Sequence, residues 1–221
     1  MTAGEVPMRV NRDAAFVEAA AIATDLIARP VIAGRWEEPS ALPRMTIGML
    51  TCHLGRQFVR SYQILSTPAA EGADLLDSAH EHYRRASWVT ARSLDDPAMT
   101  RDLDTEDARA GFEAMVQRSL TAFTDVTSLL RSGAAQDPVT IPWQGWSLRR
   151  DDYLLTRLVE IVVHSDDLAH SIGVATPEFP SAAYQPVLHL LADLAAGRHG
   201  QSALISALAR RERRPEEISA F

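Results

Sequence analysis

A helical period recurs along most of the chain, and it restricts the fold more than any other feature. In the stretch that opens at Thr46, the apolar residues Ile47, Leu50, Leu54, Phe58 and Tyr62 stand three or four positions apart and line one side of a helix reaching about Leu65. Thr46 has the side-chain oxygen that a helix start needs. The same spacing carries Phe16, Val17, Ala20, Ala23 and Ile27 through residues 13–28, with Asn11 as the cap and Pro30 as the stop. A shorter polar helix is expected over residues 78–92. A long one begins at Thr105 and passes Phe112, Met115, Val116, Leu120, Phe123, Val126 and Leu130 before Gly133 ends it. Ser147 then caps a helix through Tyr153, Leu154, Leu158, Ile161, Val162, Leu168 and Ile172, which stops at Gly173. Between these two, Pro138, Pro142 and Gly145 mark a loop in which Val139 and Ile141 can pair briefly as strand. Pro177 and Pro180 form a linker to two short amphipathic helices, 186–196 and 202–209. Long helices without clear strands predict an all-α antiparallel four-helix bundle over residues 1–176, with additional short helices in an extension, 177–221, packed on it.

Composition narrows the function classes. With 46% hydrophobic residues in 221, the chain can build a sizeable core. A net charge of -7 without a long basic run speaks against nucleic acid and against an anionic-membrane anchor. All 22 basic residues are arginine, as in proteins from GC-rich bacterial genomes. The single Cys52 cannot form an internal disulfide. Glu5 and Arg9 precede the first apolar stretch, and no window approaches the roughly 18 uncharged residues of a membrane span. The expectation is a soluble cytoplasmic protein with small-molecule partners. Gly-rich phosphate loops, C-x-x-C pairs, H-E-x-x-H and G-x-S-x-G are absent.

Glu160 and His164 carry the sharpest chemical signal. Four residues apart, they sit one above the other on a helix and can aim at one point. They bracket three β-branched aliphatics in a helix expected to be largely buried, where an unpaired carboxylate would cost several kcal/mol. Two readings are open. Arg157 or another arginine pairs with Glu160 and His164 is a satisfied core histidine, or the pair grips a divalent cation. His53, in the otherwise apolar stretch 49–55, favours the second, because it too needs a partner. Two histidines and one glutamate make the three-ligand set of catalytic zinc, whose fourth position stays with water or substrate. Gly55 beside His53 permits close approach of another segment.

The order Trp36, Pro39, Met45-Thr46-Ile47-Gly48-Met49-Leu50-Thr51-Cys52-His53-Leu54 and, later, Arg157-Leu158-Val159-Glu160-Ile161-Val162-Val163-His164-Ser165-Asp166-Asp167-Leu168-Ala169 resembles the DinB-like superfamily. Within it, the chain is most similar to the mycothiol-dependent maleylpyruvate isomerase N-terminal domain family. The resemblance runs from helix one to Gly173 and implies a four-helix bundle holding a divalent metal, usually zinc, with nickel as an alternative occupant in purified protein. It places the ligands at His53, Glu160 and His164. It also implies mycothiol, the small thiol of actinobacteria, as co-substrate, and S-transfer or cis–trans isomerisation of an electrophile as the reaction. The stretch after Pro180 is shorter than the C-terminal domain of the isomerase proper.

Around that set, Asp167 falls on the ligand face and can orient a histidine nitrogen. Arg56 and Arg60 are candidates to hold substrate carboxylates, with a solvated face as the alternative. Cys52 projects away from His53 and reads as a small core hydrophobe. His80 and His82 are expected to be exposed, and His170 turns from the ligand face. Trp143 and Trp146 either wall a pocket or pack the loop on the bundle. A thiol-independent metal hydrolase and a non-catalytic bundle remain as alternatives, and a homodimer through exposed apolar helix faces is compatible with each.

Overall fold

A computed structural model describes residues 12–91, 93 and 95–221. Asn11, Glu5, Arg9 and Arg92, used above as a cap, as charges before the first helix and as a helix end, lie outside the described residues. Four helices form the bundle: α1 (Arg12–Ile27), α3 (Ile47–Ser66), α7 (Phe112–Arg131) and α8 (Arg150–Ile172). α3 packs on both α7 and α8, and α1 closes the ring against the same two. Phe16, Leu54, Phe58, Val126, Leu154, Leu158 and Ile161 fill the shared core. The fold is all-α and DinB-like, with one small sheet at its side.

Local chemistry explains the two helix ends that matter most. Thr46 caps α3, its Oγ1 accepting from the Met49 amide at 3.1 Å. At the far end of α8, Gly173 takes φ +73, and Val174 N donates back to Ala169 O at 3.0 Å, closing the helix with a left-handed turn.

Several boundaries differ from the sequence expectation, each for a physical reason. Pro30 ends α1 but also opens α2 (Pro30–Gly34), since its fixed φ suits a first helical turn. The expected helix over 78–92 is broken at Ala86, whose ψ of 120° separates α4 (Ala79–Arg85) from α5 (Ser87–Thr90). The long helix expected from Thr105 is two: α6 (Asp102–Ala108) ends first, and Gly111 at φ +82 turns the chain into α7. Ser147 is no cap. It lies in β3 (Trp146–Leu148), where its hydroxyl meets Thr140 Oγ1 at 2.8 Å, and α8 starts at Arg150 with Asp151 and Asp152 in its first turn complementing the dipole. The expected pairing of Val139 and Ile141 is present: β2 (Val139–Ile141) runs antiparallel to β3, and β1 (Asp74–Leu75) joins parallel on the other edge. Pro186 does not open the next helix but sits inside α9 (Ser181–His199), which packs on α8 and α1; α10 (Gln201–Ala209) follows after Gly200. Tyr62 leaves the inward stripe of α3 because each step of four advances about 40° around the helix.

Trp36 is the hinge pin between the α3 start and α6. Its carbonyl accepts from Gly48 N at 2.8 Å, its Nε1 donates to Ala108 O at 3.0 Å, and its ring meets Phe112 edge-on at 6.0 Å. The indole lies so close to Gly48 that a methyl group there would stand 2.5 Å from Cε2. Gly48→Ala is therefore expected to destabilise the fold by about 1–3 kcal/mol through overpacking against a rigid ring, read as a lowered urea midpoint with unchanged slope.

Candidate metal centre

α3 and α8 pack side by side, and this brings His53 to the Glu160–His164 pair 107 residues later in the chain. His53 Nε2 stands 3.2 Å and His164 Nε2 3.5 Å from the same oxygen, Glu160 Oε2. The two rings lie edge to face with centroids 4.7 Å apart. One donor atom from each of the three side chains falls within 4.8 Å of the others, a spread that one divalent ion can bridge. The side chains retain 19%, 15% and 20% of their exposure, so the cluster is reachable by a small ligand.

The outer nitrogens explain why the inner ones converge. His53 Nδ1 faces Asp104 Oδ1 at 3.1 Å, and His164 Nδ1 faces Asp167 Oδ2 at 3.0 Å. Each carboxylate accepts from Nδ1–H, which fixes the ring and turns Nε2 towards Glu160, the arrangement that supports histidine as a metal ligand. Burial alone would push the Glu160 carboxyl up. The hydrogen bonds from His164 and His53, with the charges of His164 and Arg157, instead hold it well below the usual carboxylate range. Burial likewise disfavours a charged His164, but Asp167 and Glu160 outweigh it and raise the imidazole to about 9. The cluster thus favours positive charge between its donors, which the imidazole protons supply and which a divalent cation could supply in their place. The donor set, two imidazole nitrogens and one carboxylate, fits the ion.

Arg157 does not pair with Glu160 among the described residues. Its guanidinium donates to Gln57 Oε1 at 2.6 Å and to Thr156 Oγ1 at 3.2 Å, and lies 5.4 Å from the Tyr153 ring. The two arginine candidates separate. Arg56 donates to Asp104 Oδ1 at 2.7 Å and to Asp107 Oδ2 through Nε at 2.9 Å and Nη2 at 2.5 Å, and Arg118 holds the other Asp107 oxygen at 2.8 Å. Its fork is filled by the protein's own carboxylates. Arg60 has no ion pair among the described residues; its guanidinium lies 4.3 Å from the Trp143 ring centroid, and burial, then Arg157 and Arg56, pull its pKa down.

Asp104 and Asp107 were not singled out in the sequence. Their signal was the acidic spacing within residues 102–107, which reads as the first turns of a longer helix until the break at Gly111 separates α6 and lays it against α3. His82 is the other departure. It is 4% exposed rather than solvated, because α4 turns it under Trp146, whose Nε1–H donates to His82 Nδ1 at 3.2 Å. Burial and the nearby Arg157 take its pKa down to about 4, so it is neutral. Trp146 accordingly packs its loop on the bundle, whereas Trp143 is half-exposed beside Arg60. His80 is half-exposed and meets Asp193 at 3.2 Å. The close approach foreseen at Gly55 is made by Ser119 of α7.

Two outcomes follow from these contacts. Asp104→Asn, which keeps the shape but weakens the grip on His53, is expected to lower zinc affinity by about 10–100-fold in a chelator competition titration, with α-helical content unchanged. Cys52 is fully buried, and burial pushes its thiol up to about 12. It should resist a thiol-specific reagent in the native protein and react at once after unfolding in denaturant.

The sequence matches the family model described as mycothiol maleylpyruvate isomerase N-terminal domain over residues 17–169, a span that contains all three donor residues and both flanking aspartates. No curated protein and no solved structure gives a match. None of its helices is long and apolar enough among the described residues to cross a membrane. A helical bundle with this donor arrangement and a family match across most of its length identify the chain as a member of the mycothiol maleylpyruvate isomerase N-terminal domain family.

Proposed function

We propose that the chain is a zinc-dependent enzyme that uses a low-molecular-weight thiol, mycothiol, in S-transfer to, or cis–trans isomerisation of, a small electrophile. The observation that carries this reading is the convergence of His53, Glu160 and His164 on one point, with each imidazole locked by its own aspartate. A divalent ion held there lowers the pKa of a coordinated thiol and so supplies a thiolate at neutral pH. The chain's own residues do the rest. Asp104 and Asp167 keep both Nε2 lone pairs aimed inward. Glu160 brings one negative charge, leaving a net positive centre that attracts an anionic sulfur. Arg56 holds Asp104 and so acts on His53 at one remove. Arg60, resting on Trp143 and without a carboxylate of its own among the described residues, is the arginine available to orient a carboxylate of the substrate.

The test is elemental analysis of protein purified without chelator and without a nickel resin. Wild type should carry about one zinc per chain, and His53→Ala and His164→Ala should each lose it. Full retention in both variants would contradict the site. Calorimetry should then show mycothiol binding only to the zinc-loaded wild type, and amide hydrolysis proceeding without any thiol would contradict the thiol chemistry. Arg60→Ala is expected to raise KM for a carboxylate-bearing electrophile by about tenfold or more, while zinc content stays at the wild-type level.

A further inference from the structure

We infer that Arg157 and Arg60 together form a binding site for one carboxylate, a rung along the bundle from the metal donors, with Arg157 as the residue that makes the site specific for an acid. This rests on the proposed function and extends it from one arginine to a two-armed site. α3 and α8 run antiparallel, as the cross-helix pairs His53–Glu160 and Gln57–Arg157 show. Arg60 stands seven residues after His53, and Arg157 stands three before Glu160 and seven before His164. Each arginine therefore shares the helix face of the donors on its own helix. Because the helices are antiparallel, both are displaced from the donors towards the same end of the bundle. At about 1.5 Å of rise per residue the displacement is about 4.5 Å from Glu160 and about 10 Å from His53, within the reach of a small ligand that also touches the metal centre.

Neither guanidinium has an anion of its own. Arg157 is 7% exposed, and its hydrogen bonds go to the neutral acceptors Gln57 Oε1 and Thr156 Oγ1. Among the described residues, neither Arg157 nor Arg60 takes part in an ion pair. A buried cation met only by neutral groups is strongly unfavourable. Its field reaches the neighbours: after burial, Arg157 is the next cause that lowers the pKa of both Arg60 and His82. Glu160 is the carboxylate that offsets this field at both of them. Once Glu160 serves a cation shared with His53 and His164, that offset is spent, and two guanidinium groups from facing helices are left without a negative charge. A ligand carboxylate supplies one, and its two oxygens suit the planar fork of arginine. The arms are held for it, Arg157 by Gln57 at 2.6 Å and Arg60 by the Trp143 ring at 4.3 Å. Arg56 cannot take part, since Asp104 and Asp107 fill its fork.

Calorimetric titration of the zinc-loaded full chain with 4-oxopentanoate and with 4-oxopentanamide tests this, because the two probes differ only in acid against amide. Wild type should bind the acid at least about tenfold more tightly than the amide. Arg157→Lys, which keeps the charge and removes the fork, should cut that preference by about tenfold with zinc content unchanged. Arg60→Lys should do the same; since Arg60 is only partly buried, this variant keeps the test decisive if Arg157→Lys folds poorly. Equal binding of acid and amide by wild type would overturn the proposal. So would a preference that survives both substitutions, because the ion alone would then hold the carboxylate. A preference lost in Arg60→Lys but intact in a folded Arg157→Lys would also overturn it, leaving Arg60 as a single arm. No thiol and no turnover enter the titration, so its result stands apart from whether the thiol chemistry is correct.

Discussion

The structure turns on one carboxylate. Glu160 sits in the middle of α8, inside a four-helix bundle, where an ionised group without positive charge beside it would cost several kcal/mol. Two imidazoles are gathered on the same oxygen of that carboxylate, one from α3 and one from the next turn of α8. Each is backed by an aspartate. This alternation of charge, acid–imidazole–acid–imidazole–acid, fixes the side chains around a point that favours positive charge.

The rest of the bundle serves that placement. Gly48 lets Trp36 lie against the first turn of α3, and Trp36 in turn holds the end of α6 through Ala108. α6 therefore sits where Asp104 reaches His53 and where Asp107 shares Arg56 with it. Packing at the α3 start and charge at the candidate metal centre are thus coupled by a chain of short contacts rather than by proximity alone. A similar division of labour separates the two arginines on α3: one turn of helix puts Arg56 among acids and Arg60 on an indole. Side chains with the same chemistry acquire different roles from their neighbours.

Much of this was legible in the sequence. The Thr46 cap, the apolar period of α3, the Gly173 stop and the Glu160–His164 spacing are local signals, and local signals survive folding. His53 stood out because an imidazole in an apolar run needs a partner. Asp104 did not stand out, because its partner lies 51 residues away and is brought to it only by the turn at Gly111. His82 departs from the exposure its sequence suggests for a related reason: the helix carrying it looks polar, but α4 is short enough for Trp146 of the β-hairpin to cover one side of it. The sequence pattern shows which residues want a partner, and tertiary contacts that cross elements decide which one they receive.

The central claim is that His53, Glu160 and His164 jointly bind one ion with a coordination position left for a thiol. X-ray absorption at the zinc edge of the loaded protein addresses it directly. The account predicts a first shell of nitrogen and oxygen at about 2.0–2.1 Å with the scattering signature of two imidazoles, and a sulfur at about 2.3 Å that enters only when a thiol is added. A first shell without imidazole, or sulfur present before any thiol is supplied, would contradict it.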